Sequence, residues 1–341
     1  MDMEEIVINN SRVISELPEQ LEADEVPYSV DEILPDTRFI GANTQSIPYQ
    51  YLRDKCTIPV FAKDNESTIS HQEFVDIVGQ AAQLAFPNER IMEPSIRVSH
   101  PIKGRIPEAV GKPAKDLLER EKTIYYERMA FLYDIPTISE GIDGNTLSLS
   151  LGGVRAYNLE NLYGRKVEEK FRVFVGFKNH ICCNLAVSTD GYLDDLRVRT
   201  LSELFNRVVQ LFGMFNLEKE LRSLENLSEY SLSEHQFAQL VGRLRMYQFL
   251  KPSEKLSIPP LMLGDSQVNS VIRNYYHDKS FQRDAYGSID LWRFYNLLTG
   301  ANKSSYIDTY LDRTVNALTF TSLLLESLKM GKMLWYLDGE Q

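Results

Sequence analysis

Three groups of residues in this 341-residue chain have types and spacings that could do chemistry. The first is Asp143 followed by Glu168 and Lys170. There the carboxylates could hold Mg²⁺ while the lysine orients a water for phosphodiester hydrolysis. Such acid and acid-x-lysine patterns arise often by chance where 25% of residues are charged, so the signal has little specificity. The second is Cys182-Cys183 beside His180, a thiol and an imidazole close in sequence. Read as part of a strand over 181–187, Cys183 shares the apolar side of Ile181 and Leu185 and belongs in a core, which leaves Cys182 alone to face outward.

The third group is cationic. The window 97–115, RVSHPIKGRIPEAVGKPAK, places Arg97, Lys103, Arg105, Lys112 and Lys115 against one acid, Glu108. Its prolines and glycines predict a loop or extended arm, and such an arm could grip a phosphate backbone, which asks only for cations and reach. Further on, Arg155, Arg172 and Phe174 interleave charge with an aromatic ring on the polar sides of expected strands. Bases stack on rings while phosphates meet Arg or Lys, so this set is a candidate platform for a single strand of nucleic acid. A second layer of helices would bury Phe174 equally well. The five histidines (His71, His100, His180, His235, His277) are scattered, and none pairs with another at metal-ligand spacing. There is no P-loop and no dinucleotide glycine fingerprint. No catalytic residue, no metal site and no cofactor is therefore expected.

The elements that must position these residues follow from periodicity. Strict alternation over 146–151 (TLSLSL), 171–177 (FRVFVGF) and 181–187 (ICCNLAV) predicts half-buried antiparallel strands with one side toward solvent. Residues 123–136 read as one further strand and 193–198 as another. Gly152-Gly153 predicts a bulge or tight hairpin, and GIDGN over 141–145 a turn. Before this block, Ser70 and Glu73 form a capping box for a helix over 70–86, with His71 exposed or locally bonded in its first turn. After it, Thr200 with Glu203 and Ser233 with Gln236 start helices, and more follow over about 267–276, 289–298 and 305–330, where Gly331 stops the last.

Composition sets the outer bounds. A hydrophobic share of 43% and an aromatic share of 11% predict folded cores. Three cysteines, two of them adjacent, form no disulfide framework, and a reducing cytoplasm is the expected compartment. The N-terminus lacks a basic region followed by an apolar one, and the run 318–328 is broken by Thr319, Thr321, Ser322, Glu326 and Ser327. No membrane association is expected. The net charge of −11 is concentrated in residues 1–40, which carry eleven acids and two bases. The rest of the chain sums to only −2, so a basic face on the body remains compatible with the acidic whole.

Several phrases together resemble an uncharacterised family carried by bacterial conjugative transposons and related mobile elements. They are IPVFAKDNESTISHQEF, HPIKGRIPEA, EKTIYYERM, GGVRAYNLENLYG, CCNLAVSTDG, SLSEHQFAQLVGR and LWRFYNLLTGANKSSYIDTYLDR, spread over about residues 39–312. More distantly, the Cys183-Asn184 step and the segment from Asn296 to Thr299 are similar to the phage/plasmid-like protein family. The resemblance carries no reaction or catalytic residue. It implies mobile DNA as the genomic setting, with single-stranded DNA or DNA-processing proteins as partners.

The expected architecture is α+β: a central curved antiparallel β-meander of about five strands, a preceding helix and a helical C-terminal lobe. Residues 1–36 are expected to form an acidic flexible leader, 37–199 the α+β domain and 200–341 the helical lobe. A helix, meander and helix in that order also resembles the single-strand annealing proteins of phages, an analogy of fold alone. The leading expectation is a non-catalytic, DNA-associated protein of a mobile element, binding or annealing single strands. The alternatives are a protein-interaction module and the Mg²⁺ nuclease.

Overall fold

Ser70 accepts a hydrogen bond from the Glu73 amide, and Glu73 reaches back to the Ser70 amide, so the capping box read from the sequence starts a helix where expected. The structure is a computed structural model and describes residues 38–59, 68–157 and 168–337. The acidic leader over 1–36 lies outside the described residues. In chain order the first half runs β1 (Gln45–Ile47), α1 (Tyr49–Lys55), β2 (Ile58–Pro59), α2 (His71–Ala85), β3 (Ser95–Val98), β4 (Pro101–Arg105), β5 (Lys122–Tyr126) and β6 (Arg128–Ile142). Then come β7 (Asn145–Ala156), β8 (Glu169–Asn179), β9 (Leu185–Ala186), β10 (Tyr192–Val198), α3 (Leu201–Met214) and α4 (Leu217–Glu225). The remainder is β11 (Ser231–Leu232), α5 (Glu234–Tyr247), α6 (Pro252–Lys255), α7 (Asp265–His277), β12 (Ile289–Asp290), α8 (Leu291–Asn302) and α9 (Ile307–Met330).

The fold is α+β around a curled antiparallel sheet of seven strands, in the order β1-β3-β6-β7-β8-β10 with β9 also on β8. A three-stranded sheet, β2-β4-β5, stands apart from it. The sheet exceeds the expected five strands because the segments before residue 100 contribute β1 and β3 to its edge. Residues 123–136 do not form one strand. The ladder breaks at Glu127, sending β5 to the small sheet and β6 to the large one.

Gly152 and Gly153 do not interrupt β7, which pairs with β6 and β8 straight through them. These positions are glycine because of close approach. A Cβ on Gly152 would sit 2.0 Å from the Phe131 carbonyl oxygen, and one on Gly153 would sit 2.4 Å from Cζ of Phe74. The bulge lies instead in β6, between Ile135 and Ser139. Residues 181–183 are a turn rather than the start of a strand: Cys183 has φ 55 and donates its amide to the Asn179 carbonyl. Ile181 accordingly points to solvent, with 57% of its surface exposed.

Both faces of the sheet are covered, so the expected solvent side does not exist. On one face Leu147, Leu149, Leu151, Phe171, Val173 and Val175 meet Phe74 and Val78 of α2 and Leu204 and Val208 of α3. The Phe74 ring lies edge-on to Phe131 at 5.0 Å. On the other face Ala130, Leu132, Val154, Phe174, Leu185 and Val187 pack under Ile307, Tyr310, Leu311 and Val315 of α9, with Phe39 and Ile40. Even Ser148 and Ser150 are fully buried, and Ser150 donates to Asp134 Oδ1 at 2.6 Å. Burial of large side chains at roughly 1.5–3 kcal/mol each makes this double covering the main source of stability.

The helices after residue 200 begin and end as their caps dictate. Thr200 and Ser233 accept from the amides of Glu203 and Gln236, and Gly331 closes α9 in the left-handed conformation at φ 61. These helices share one apolar core with the sheet, within a compact unit spanning Leu34–Gln341. No helix among the described residues is long and apolar enough to cross a membrane.

Candidate functional site

The proline-broken window 97–115 is ordered structure, not a free arm, because its arginines hold it. Arg97 is buried in β3, where its Nη2 donates to the Thr44 carbonyl at 2.9 Å and its Nε to Thr44 Oγ1 at 3.1 Å. Arg105 is buried at the end of β4. Its Nη1 donates to the carbonyls of Val110 at 2.7 Å and Lys112 at 2.6 Å, which folds the following loop around the guanidinium. Lys112 is ion-paired with Glu121. Only Lys103 and Lys115 of this set stand exposed.

The expected platform of Arg155, Arg172 and Phe174 is likewise taken apart. Since β7 continues through its glycines, the alternation that buries Leu147, Leu149 and Leu151 carries Arg155 onto the same core face. There the guanidinium pairs with Glu169 and donates to the Ile69 carbonyl, 4.4 Å from the ring centroid of Tyr157 and 4.6 Å from that of Phe171. Phe174 lies under α9. Arg172 is on that second face too, where its Nη2 meets Asp312 at 3.0 Å and its Nη1 donates to the Asp308 carbonyl at the start of α9.

A different set of cations does converge. Register across the sheet aligns Arg128 of β6 with Ala156 of β7, and Arg197 of β10 with Lys170 of β8. Directly paired residues share a face, so Arg128, Lys170 and Arg197 form one row that Arg172 joins from the neighbouring position of β8. Among them lies a shallow depression lined by Val154, Ala156, Lys170 and Arg172. Strands lie about 4.8 Å apart, so the row spans roughly 14 Å from β6 to β10.

The row is held in position by acids. Asp195 bridges Lys170 at 2.9 Å and Arg197 at 3.0 Å, and hydrogen bonds first from Arg197 and then from Lys170 hold its carboxyl below the usual carboxylate range. Arg128 lies 3.9 Å from Asp308, with its guanidinium 5.9 Å from the ring centroid of Tyr306. Tyr306 itself is 57% exposed at the entrance to α9. Cations, an exposed ring and a shallow depression on one rim can hold an anionic, base-bearing polymer by its phosphates and its π faces.

Periodicity could have found Arg197, which alternates with the buried Leu196 and Val198. Arg128 was hidden, because the break at Glu127 reverses the side that a continuous strand over 123–136 would give it. Tyr306 becomes part of the site only through the packing of α9 on the sheet.

Asp143 and Glu168 do not meet. Asp143 lies at the turn before β7, 3.8 Å from Arg293, whereas Glu168 lies beyond its other end, 3.4 Å from Arg199. At about 3.3 Å per residue the strand between them separates the two by roughly 35 Å. No group of three His, Cys, Asp or Glu able to hold a metal occurs among the described residues. Burial pushes the Cys182 thiol up to about 11, away from the reactive thiolate. His71 is buried rather than exposed, with its Nε2 2.9 Å from the Tyr126 carbonyl and its ring stacked on Tyr125.

The Cys183-Asn184 step and the Asn296–Thr299 segment, far apart in sequence, do meet. Asn184 Nδ2 donates to the Asn296 carbonyl at 3.0 Å, and Cys182 Sγ lies 3.8 Å from Asn296 Oδ1. The left-handed turn at Cys183 is what aims Asn184 at α8.

A helix-covered, antiparallel α+β sheet whose rim carries a row of acid-paired cations is the class that this geometry defines. Residues 22–337 match the family model described as "Domain of unknown function, B. Theta Gene description (DUF3871)", and the chain belongs to that family. No curated protein and no solved structure matches it.

Proposed function

We propose that this chain is a non-catalytic, DNA-associated protein of a bacterial mobile genetic element that binds or anneals single-stranded DNA in the cytoplasm. The mobile-element setting comes from the resemblance of its sequence phrases. The observation that carries DNA contact is the pairing of Lys170 with Arg197 across the β8–β10 ladder, with Arg128 on the same face two strands away. Phosphates would replace the carboxylates of Asp195 and Asp308 on these cations, and a base would stack on Tyr306. A single strand suits the rim because its bases are free to meet a ring. Lys103 and Lys115, exposed on and beyond the small sheet, would extend the electrostatic field.

The test is fluorescence anisotropy of a labelled single strand titrated with the protein over a range of salt. Binding should weaken with salt, and a Lys170→Ala/Arg197→Ala variant should lower the log–log slope by about 1.4. A flat titration at low salt, or an unchanged slope in a variant whose circular dichroism matches the parent, overturns the reading.

A further inference from the structure

The C-terminal end of α5 carries an apolar surface that the fold leaves uncovered. Phe249 is 83% exposed, Leu256 89% and Met333 84%, with Met246 and Met330 more than half exposed. Tyr247 meets the Trp335 ring edge-on at 6.3 Å and Lys255 lies over the Tyr247 ring, so the end of α5, the stretch through α6 and the segment after α9 come together in one neighbourhood. Single exposed apolar residues need no explanation, but several gathered in one neighbourhood point to an interaction surface.

Its surroundings are cationic. Residues 243–256 and 326–335 hold Arg243, Arg245, Lys251, Lys255, Lys329 and Lys332 against only Glu254 and Glu326, in a chain whose net charge is −11. Two of these cations are fixed against rings. Arg243 lies 5.1 Å from the centroid of Trp335, and Lys255 lies 5.1 Å from that of Tyr247. Positive charge is therefore positioned directly beside the apolar anchors.

We infer that this patch docks an acidic, amphipathic helical segment of a partner protein. The apolar side of such a helix would cover Phe249, Leu256 and Met333, and its carboxylates would meet the cationic border. A second copy of this chain is a poor occupant, because a two-fold contact would set the same cations against each other. A lipid surface would attract the cations as well, but charges held in place on rings suit discrete carboxylates better than a fluid headgroup layer.

The test uses the full chain and a labelled helical peptide of about 20 residues, roughly 30 Å long. The peptide carries Leu at i, i+3, i+4 and i+7 and Glu elsewhere. Anisotropy should show saturable binding that weakens at least about tenfold when Lys replaces every Glu. A Phe249→Ser/Leu256→Ser variant, altered only at exposed positions, should lose binding by a similar factor while its urea midpoint stays at the parent value. Absence of binding, equal binding of both peptides, or binding indifferent to the double variant overturns the inference. Vesicles containing phosphatidylserine and sedimentation equilibrium complete the test. Lipid binding or dimerisation that disappears in the same variant assigns the patch to those occupants and overturns the inference as well. Neither substitution touches Lys170 or Arg197, so this outcome is independent of the DNA titration.

Discussion

Arg155 and Glu169 form an ion pair in which the arginine side chain has no exposed surface and the glutamate only 13%. Glu169 also accepts the Ile69 amide at 2.9 Å, so one carboxylate ties the segment before α2 to the first residue of β8. Removing it strands a buried guanidinium, a change that typically destabilises by about 3–5 kcal/mol. Glu169→Ala should lower the urea midpoint accordingly. Arg155→Met in the same chain should recover part of the loss, since two apolar groups replace an uncompensated charge. A double variant no more stable than Glu169→Ala would mean that the pair does not act as a unit.

His71 makes stability depend on pH. Burial above all, with the nearby Arg155 charge second, lowers its folded pKa from 6.5 to about 3. The unfolded chain takes up a proton below about pH 6.5 while the folded chain stays neutral, so this contribution is present above that pH and is lost as pH falls toward 3. Between pH 6.5 and 5 the slope approaches about 1.4 kcal/mol per pH unit. Urea unfolding at several pH values should show it, and His71→Phe should flatten that limb. An equal slope in both proteins would assign the dependence to other groups.

The two glycines of β7 should tolerate no side chain. Gly153→Ala pushes a methyl into the Phe74 ring and toward the Arg172 carbonyl oxygen at 2.8 Å, and should destabilise by about 1–3 kcal/mol. Gly152→Ala meets a backbone carbonyl that cannot turn away, so its thermal midpoint should fall further. Calorimetry of the two variants gives the order directly, and the reverse order would show that Phe74 is the more rigid neighbour.

Within the DNA proposal, the two pairs of cations separate by magnitude. Lys170→Ala/Arg197→Ala should weaken single-strand binding by more than Lys103→Ala/Lys115→Ala at the same salt, because only the first pair flanks the depression. Phe174→Ala should act through stability alone, by about 3–5 kcal/mol, since the ring is buried under α9. Direct loss of DNA affinity in a folded Phe174 variant would contradict its placement.

Local rules carried most of the fold. Ser70, Thr200, Ser233 and Gly331 mark helix ends by chemistry that a few neighbouring residues complete, so they are legible one residue at a time. Alternation located the strands, but one side of the sheet looked wet because Ser148 and Ser150 are polar, and nothing nearby in sequence reveals that Asp134 and α9 cover that side. The faces of Arg155 and Arg128 turned on single points, continuity through Gly153 and a break at Glu127, and each reverses everything beyond it. The basic window misled for a related reason. Charge alone does not distinguish an arginine that binds a partner from one such as Arg105, which folds its own loop.

The second face of the sheet is closed by residues made long after it. Phe174 waits for Leu311 and Val315, about 140 positions later in the chain. At a synthesis rate of up to about 20 residues per second, that interval lasts on the order of ten seconds. During it an apolar sheet surface has only Phe39 and Ile40 of its native cover. Efficient production of this protein therefore depends on what shields the nascent sheet before α9 arrives. Slowed translation within the helical part should raise its aggregated fraction.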